Sequence, residues 1–142
     1  MATLQDIMTT NVATVNLMDN AFEVAERMEQ LNVGAIPVVD GQNLVGMITD
    51  RDMVLRGYAQ KRSGSFSVEG LMTRDVVVGT PDMSCDEAAQ LMAERQIRRL
   101  PVVDNGRLVG IVSIGDLAVR SDLADEAGEA LSQISQPSRP QM

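Results

Sequence analysis

An internal duplication is the feature of this sequence that most limits how the chain can fold. Residues 4–56 (copy 1) align without a gap over residues 68–120 (copy 2). A repeat of this length is one supersecondary unit, and alone it leaves one face of a sheet uncovered. We therefore expect the two copies to pack as a pseudo-two-fold pair, with clefts where they meet. Identical residues at matching positions include Met8/Met72, Thr9/Thr73, Met28/Met92, Pro37/Pro101, Gly46/Gly110, Asp52/Asp116 and Arg56/Arg120.

Each copy predicts the same order of elements, β-α-β-β-α, which places the chain in the α+β class with short mixed sheets packed against helices. The first helix begins with capping-box spacing in both copies, at Asn20 with Glu23 and at Ser84 with Glu87. The dipeptides Asp40-Gly41 and Asn105-Gly106 are strong signals for hairpin turns. The predicted strands are 12–15, 35–39 and 44–48 in copy 1 and 76–79, 100–103 and 108–112 in copy 2, and the second helices are 50–59 and 114–123.

The domain organisation follows from these elements. We predict a first repeat at 1–59, a polar linker at 60–67, a second repeat at 68–120, and a C-terminal helix with a disordered tail at 121–142. The first helix of each copy has an apolar face that we expect to enter the core. These faces consist of Ala21, Val24, Ala25, Met28 and Leu31 in copy 1 and of Cys85, Ala88, Ala89 and Met92 in copy 2.

Composition excludes several classes of function. The net charge is −8, which argues against a nucleic-acid partner because phosphate backbones require a basic face. The chain has no histidine and a single cysteine, Cys85, so imidazole-based catalysis and a structural zinc site are not expected. It has no apolar run long enough to span a membrane, and we expect no leader segment. We expect a cytoplasmic protein with no membrane partner, no metal and no obligatory cofactor.

A motif of the form Gly-x-x-Thr/Ser-x-x-Asp occurs once in each copy, at 46–52 and 110–116. Its hydroxyl residue stands where a strand ends and a helix begins, and free N–H groups at such a point favour phosphate. Its aspartate, in the first helical turn, can accept hydrogen bonds from both hydroxyls of a ribose. The same spacing is also that of a capping box, which is the commoner use of a single such motif and is compatible with a ligand role.

A cluster of three arginines, Arg95, Arg98 and Arg99, precedes the hairpin of copy 2. Guanidinium groups suit phosphate oxygens, so a local basic cluster in an acidic chain indicates a phosphate site. Simple surface pairing with nearby acids such as Glu94 is an alternative of similar weight. Copy 1 has Gly34 and Ala35 in place of Arg98 and Arg99, and it adds Asp50 beside its motif. We therefore expect the two sites to differ.

Several short motifs occur in both copies, in the same order and at constant spacing, and together they resemble those of a known family. They are Asp6-Ile-Met-Thr9 with Gly70-Leu-Met-Thr73, Ala35–Asp40 with Arg99–Asp104, and the two Gly-x-x-Thr/Ser-x-x-Asp motifs. The chain resembles a CBS-domain pair over about 120 of its 142 residues, in the form of a stand-alone protein with two CBS repeats. The resemblance implies binding of an adenine nucleotide (AMP, ADP or ATP) in clefts between the repeats.

The resemblance also implies residue roles and partners. It assigns the motif aspartates to ribose, and it places adenine between apolar residues that include the regions of Val12 and Val76. It implies a homodimer formed through the repeat helices and an unknown protein partner that detects the bound state. The nucleotide-binding residues predicted in this way are Thr49, Asp52, Ser113, Asp116, Arg98, Arg99, Val12 and Val76.

We therefore predict a non-enzymatic sensor that signals by a conformational or dimer change. The alternatives are an interaction scaffold with degenerate sites and a binder of another adenosyl ligand such as S-adenosylmethionine. An enzyme is disfavoured because the chain lacks histidine, a Walker Gly-Lys-Ser/Thr pattern and any carboxylate cluster beyond Asp50 and Asp52. Of the two sites, we expect that of Asp116 to be the stronger and that of Asp52 to be altered or vacant.

Overall fold

A computed structural model describes residues 2–119 and Ile134. The predicted C-terminal helix and tail at 121–142 lie outside these described residues, apart from Ile134, and so does the end of the helix predicted at 114–123. The helices are α1 (Leu4–Ile7), α2 (Ala21–Leu31), α3 (Asp50–Asp52), α4 (Cys85–Arg95) and α5 (Ile114–Ala118), and the strands are β1 (Val15–Asn16), β2 (Ala35–Asp40), β3 (Asn43–Thr49), β4 (Arg99–Asp104) and β5 (Arg107–Ser113).

Helical segments of other types complete the described part of the chain. A π-helix at Met53–Gly57 and a 3-10 helix at Tyr58–Gln60 follow α3 directly, so the predicted helix at 50–59 is present but is not a regular α-helix. A 3-10 turn at Val68–Gly70 takes the place of α1 in copy 2. Within residues 2–119, every helix is too short or too polar to cross a bilayer.

Both predicted hairpins are present, as β2–β3 and β4–β5, and together with the helices they make an α+β fold. The first strands were predicted wrongly. In copy 1 only Val15 of the predicted 12–15 lies in a strand, the two-residue β1, which pairs in parallel with β2. In copy 2 the predicted 76–79 contributes a single bridge from Gly79 to Val102. β-Branched residues favour extended backbone, but a strand also needs a neighbour along its length.

The described residues form two compact units that do not coincide with the two sequence copies. Unit 1 consists of residues 2–12, 77–104 and 109–119, and unit 2 consists of residues 13–76 and 105–108. Each unit thus combines the main body of one copy with the first segment of the other. The repeat boundaries predicted from the sequence are those of the duplication. In the fold, the segment that contains Met8 packs with the body of copy 2, and the segment that contains Met72 packs with the body of copy 1.

Unit 1 has its own aliphatic core. The α1 segment enters it through Leu4, which is fully buried and whose N–H donates to the Met83 carbonyl at 2.9 Å. Thr9 then pairs with Ile111 of β5 through two backbone hydrogen bonds of 2.9 and 3.0 Å. The buried residues of this core are Leu4, Cys85, Ala88, Ala89, Met92, Leu100, Val102, Val112, Ile114 and Leu117.

Unit 2 repeats this arrangement with the segments exchanged in the opposite sense. Antiparallel strands β2 and β3 form its hairpin, and Thr73 pairs with Met47 of β3 through backbone hydrogen bonds of 2.8 and 2.9 Å. The start of copy 2 therefore packs on the body of copy 1. The buried residues of this core are Val15, Val24, Met28, Ile36, Val38, Ile48, Val68, Leu71 and Met72.

Helices α2 and α4 occupy matching positions but differ in how much of the predicted apolar face they bury. All four residues predicted on the α4 face are buried. In α2 only Val24 and Met28 are buried, whereas Ala25 and Leu31 are exposed, so the prediction was wrong for these two. The buried face of α2 is therefore narrower than its apolar periodicity predicts, and Ala25 and Leu31 lie on the exposed side of the helix.

Candidate functional site

The motif of unit 1 forms a complete capping box at the start of α5. Ser113 ends β5, and its side-chain oxygen accepts from the Asp116 N–H at 3.1 Å. In return, the Ser113 N–H donates to Oδ2 of Asp116 at 2.8 Å. Among the described residues Oδ1 of Asp116 has no partner, and the side chain is only partly buried. Among the described residues, the cap therefore engages one of the two carboxylate oxygens of Asp116.

The motif of unit 2 forms the same capping box, but its aspartate has additional partners. The Thr49 N–H donates to Oδ2 of Asp52 at 3.0 Å, and the Asp52 N–H donates to the Thr49 hydroxyl at 3.0 Å. The Thr73 hydroxyl donates to the same Oδ2 at 3.4 Å, and Nε of Arg56 lies 3.8 Å from Oδ1. Both oxygens of Asp52 are thus engaged within its own unit.

The first glycine of each motif makes room for a methionine of the exchanged segment. A Cβ placed on Gly110 would lie 2.5 Å from Sδ of Met8. A Cβ on Gly46 would lie 2.8 Å from Sδ of Met72 and 2.8 Å from the Thr73 carbonyl oxygen. Real Cβ contacts of this length do not occur, so both positions require glycine for close packing. In each unit, the motif glycine and the methionine of the exchanged segment therefore pack directly against each other.

Sequence reasoning missed the contribution of the exchanged segments to the sites. Thr73 bonds to Asp52, and Arg56 donates from Nη1 to the Met72 carbonyl at 2.9 Å while approaching Asp52. The identities Thr9/Thr73, Met8/Met72 and Arg56/Arg120 in the repeat alignment were the available signal. They indicated matching positions of the duplication but not which unit each segment joins.

The arginine segment of copy 2 lies directly beside its motif. The Ile114 N–H donates to the Arg98 carbonyl at 2.8 Å, and Arg99 begins β4. Both arginine side chains are exposed, and among residues 2–119 neither has a carboxylate within 4.0 Å. The alternative that these arginines merely pair with Glu94 is therefore not what the described structure contains.

Unit 2 has the same backbone contact but the opposite electrostatic character. The Asp50 N–H donates to the Gly34 carbonyl at 2.9 Å, matching the contact of Ile114 with Arg98. A Cβ on Gly34 would lie 3.0 Å from Oδ2 of Asp50, so a carboxylate occupies this position. Where unit 1 places two exposed arginines, unit 2 therefore places an exposed acid.

The predicted adenine-contact residues are placed by the segment exchange. Val12 belongs to unit 1 together with Ser113 and Asp116, whereas Val76 belongs to unit 2 together with Thr49 and Asp52. Both valines are partly exposed and neither lies in a strand. Among the described residues, no hydrogen bond links either valine to its motif, so what relates each valine to that motif is membership of the same unit.

Metal-binding groups are a separate question from the nucleotide motifs. Among residues 2–119 and Ile134, no three His, Cys, Asp or Glu side chains are grouped so as to hold a metal ion.

The comparisons with known proteins agree on one family for this chain. The family model of the CBS domain matches residues 4–57 and 68–121. CBS domain-containing protein YhcV of Bacillus subtilis is 52% identical over 135 residues, which cover 95% of this chain and 96% of the relative.

Two solved structures extend this comparison to the fold. CBSX2, solved in complex with AMP, has a TM-score of 0.75 and 31% identity, covering 89% of this chain and 99% of its own. Hypoxic Response Protein I, solved with two coordinated zinc ions, has a TM-score of 0.76 and 33% identity, covering 83% of this chain and 98% of its own. Since the family match spans both copies and the sequence relative is similar along almost its whole length, this chain belongs to the CBS-domain family and contains a pair of CBS domains.

Proposed function

We propose that this chain is a non-enzymatic regulatory module that binds an adenine nucleotide, AMP, ADP or ATP, chiefly through the motif of unit 1. The observation that carries the proposal is the CBSX2 complex with AMP, whose chain is 31% identical to this one and covers 89% of it. The unit 1 motif supports the same ligand class because it combines a carboxylate oxygen that no described residue engages with two exposed arginines.

Each residue of the unit 1 site has a distinct role in this proposal. Oδ1 of Asp116 accepts from the ribose hydroxyls, while Oδ2 keeps the cap of α5 closed. The Ser113 hydroxyl adds a hydrogen bond to phosphate or ribose. Arg98 or Arg99 contacts the phosphate through its guanidinium group, which suits phosphate oxygens. Val12 contributes apolar surface to adenine.

The corresponding residues of unit 2, Thr49, Asp52 and Val76, form a weaker site in this proposal. A ribose would have to share Asp52 with Thr73 and Arg56. A phosphate would approach Asp50 where unit 1 offers arginine, and like charges repel over such short distances. Unit 2 therefore takes a nucleotide at higher concentration than unit 1 or takes none.

The regulatory output would be a change in conformation or in the association of two chains. Ligand binding alters such an equilibrium only if the ligand prefers one state. We infer a homodimer as the responding assembly, with a further protein as the reader of the bound state. The family's regulatory use of CBS pairs supports this part of the proposal.

A second candidate is an interaction scaffold whose motifs serve only as helix caps. The specific observation in its favour is that both capping boxes are closed, at 2.8 to 3.1 Å, by protein atoms alone. Such caps stabilise a helix by about 1 kcal/mol without any ligand.

Titration calorimetry with AMP, ADP, ATP, adenosine and S-adenosylmethionine separates these candidates. The wild type is expected to bind at least one of the three nucleotides. Arg98→Gln and Arg99→Gln test the phosphate contact, and at least one is expected to weaken AMP about tenfold or more while leaving adenosine unchanged. Arg107→Gln, which changes an exposed arginine of β5, is the matched control.

Absence of binding by the wild type to all five compounds would leave the scaffold as the better account. Tight binding of S-adenosylmethionine without any nucleotide would replace the ligand class but keep the binding role.

A further inference from the structure

The matching methionines of the two exchanged segments, Met8 and Met72, differ in their access to solvent. Met72 is 2% exposed and belongs to the core of unit 2. Met8 packs against the core of unit 1 but is itself partly exposed. Peroxides convert the thioether of methionine to a polar sulfoxide, and exposed side chains react more readily than buried ones. The pair therefore presents one accessible sulfur and one protected sulfur to an oxidant in solution.

The Met8 side chain lies directly on the backbone of β5. A Cβ placed on Gly110 would lie 2.5 Å from Sδ, 2.8 Å from Cγ and 3.1 Å from Cβ of Met8. The sulfur is thus in contact with the strand, and no space for a further heavy atom separates them. An oxygen added on that side would push the side chain off the strand. On either side it would place a polar group against apolar packing.

This contact stands beside the hydrogen bonds that hold the first segment on β5. The Met8 N–H donates to the Leu4 carbonyl at 2.8 Å and so ends α1. The next residue, Thr9, exchanges two backbone hydrogen bonds with Ile111, which follows Gly110 directly. An isolated bridge opens more easily than a long ladder, so its stability depends on the packing next to it.

We propose that Met8 is an oxidation site, at which conversion of the thioether to the sulfoxide by hydrogen peroxide loosens the first segment from β5. A lone pair of Sδ attacks one peroxide oxygen, so that an S–O bond forms while the O–O bond breaks. The sulfur loses two electrons, and the departing hydroxide takes the proton of the transferred oxygen and leaves as water. Methionine sulfoxide reductases reverse this modification. The proposal does not depend on nucleotide binding.

The same geometry confines the effect to unit 1. Unit 2 has the matching bridge, in which Thr73 and Met47 exchange backbone hydrogen bonds of 2.8 and 2.9 Å, but the adjacent Met72 is buried. In unit 1 the bridge at Ile111 lies two residues before Ser113, which ends β5. Oxidation therefore acts on the strand that leads into the motif of unit 1 and leaves the corresponding strand of unit 2 in place.

Amide hydrogen exchange of the full chain, followed by NMR before and after peroxide treatment, tests the proposal. Once peptide mass spectrometry shows Met8 to be the sulfoxide, the amides of Thr9 and Ile111 are expected to exchange about tenfold faster or more. The amides of Met47 and Thr73 are the internal control and should change less than about twofold. Treatment with the two methionine sulfoxide reductases should restore the original rates.

Three leucine variants show which methionine is responsible, and circular dichroism checks that each of them folds. Met8→Leu keeps the apolar volume without the sulfur, and it is expected to abolish the response to peroxide. Met18→Leu and Met83→Leu are expected to keep the response. Met18 is 85% exposed and is not part of either buried core, and Met83 is another partly exposed methionine that packs against the core of unit 1.

Four results would overturn the proposal. They are a Met8 that stays unoxidised when Met18 is fully converted, unchanged exchange at Thr9 and Ile111 in chains that contain the Met8 sulfoxide, equal acceleration of the bridges in both units, and a response that persists in Met8→Leu. The second and third results are read on the oxidised wild type, so they remain decisive even if the leucine variant fails to fold.

Discussion

At the scale of single residues, the motif glycines show how the two ends of each repeat depend on each other. The Met8 side chain packs against Gly110 in unit 1, and the Met72 side chain packs against Gly46 in unit 2. The sequence alignment marked all four residues as identical between copies, but it could not show that they pack as pairs. The pairing explains why the motif begins with glycine although neither position has the positive φ that favours glycine.

Gly46→Ala and Gly110→Ala are expected to lower the free energy of unfolding by different amounts. A methyl group added at position 46 would press on the Thr73 carbonyl, which belongs to a backbone hydrogen-bond pair and yields little, so we expect a loss of about 1–3 kcal/mol. At position 110 the obstacle is the flexible Met8 side chain, and the loss should be smaller. Urea denaturation measures both.

The control for this pair is Gly57→Ala, since a Cβ at Gly57 would make an ordinary contact of 3.5 Å with Leu71. This change should cost less than the one at position 46, because the added methyl group meets no atom at short range. An equal loss at positions 46 and 57 would contradict the packing role of the motif glycine.

At the scale of elements, local signals predicted the helix starts well. Asn20, Ser84, Thr49 and Ser113 all accept from the N–H three residues later, as their spacing indicated. Such caps depend only on neighbouring residues, and hairpin turns do likewise. The predictions of the first strands were wrong because a strand depends on a partner that is distant in sequence. For β1, the pairing with β2 covers only Val15 and Asn16.

The matched alanines of α2 and α4 test how differently the two copies use one element. Ala89 is 2% exposed in the core of unit 1, whereas Ala25 at the matching position is exposed. Ala25→Gln is expected to change the free energy of unfolding by less than about 0.5 kcal/mol. Ala89→Gln should cost about 3 kcal/mol or more because it overpacks the core and buries an amide.

Chemical denaturation of both variants, followed by circular dichroism, provides the comparison. Glutamine is a good helix former, so helix propensity contributes little to either value. Equal losses at the two positions would mean that α2 buries the broader face that its periodicity suggested.

At the scale of the whole molecule, the exchange of first segments decides which of the predicted site residues share a unit. Periodicity and motif spacing identified the duplication, the hairpins and the motif residues. They could not identify the exchange, because both copies offer nearly the same apolar surface to either segment. That Val12 shares a unit with Asp116, and Val76 with Asp52, therefore required the structure.

Leu4 and Val68, which are matching residues of the two copies, test the exchange directly. Leu4→Ala is expected to destabilise by about 2–5 kcal/mol and to speed hydrogen exchange in α4, since Leu4 lies in the core of unit 1. Val68→Ala should have its local effect in α2, because Val68 lies in the core of unit 2. Mass spectrometry of exchanged peptides distinguishes the helices. Faster exchange of α2 rather than α4 in Leu4→Ala would contradict the exchanged arrangement.

The asymmetry of the two motifs is the central feature of the proposed function, and native mass spectrometry during an AMP titration tests it most directly. The informative variants are Asp116→Asn and Asp52→Asn, because an amide oxygen can still accept the capping hydrogen bond while the charge is removed. We predict that the wild type binds its first AMP per chain at a concentration that Asp52→Asn leaves within about twofold and Asp116→Asn raises at least tenfold. A first AMP that is lost with Asp52→Asn and kept with Asp116→Asn, or a wild type that binds no AMP, would contradict the account.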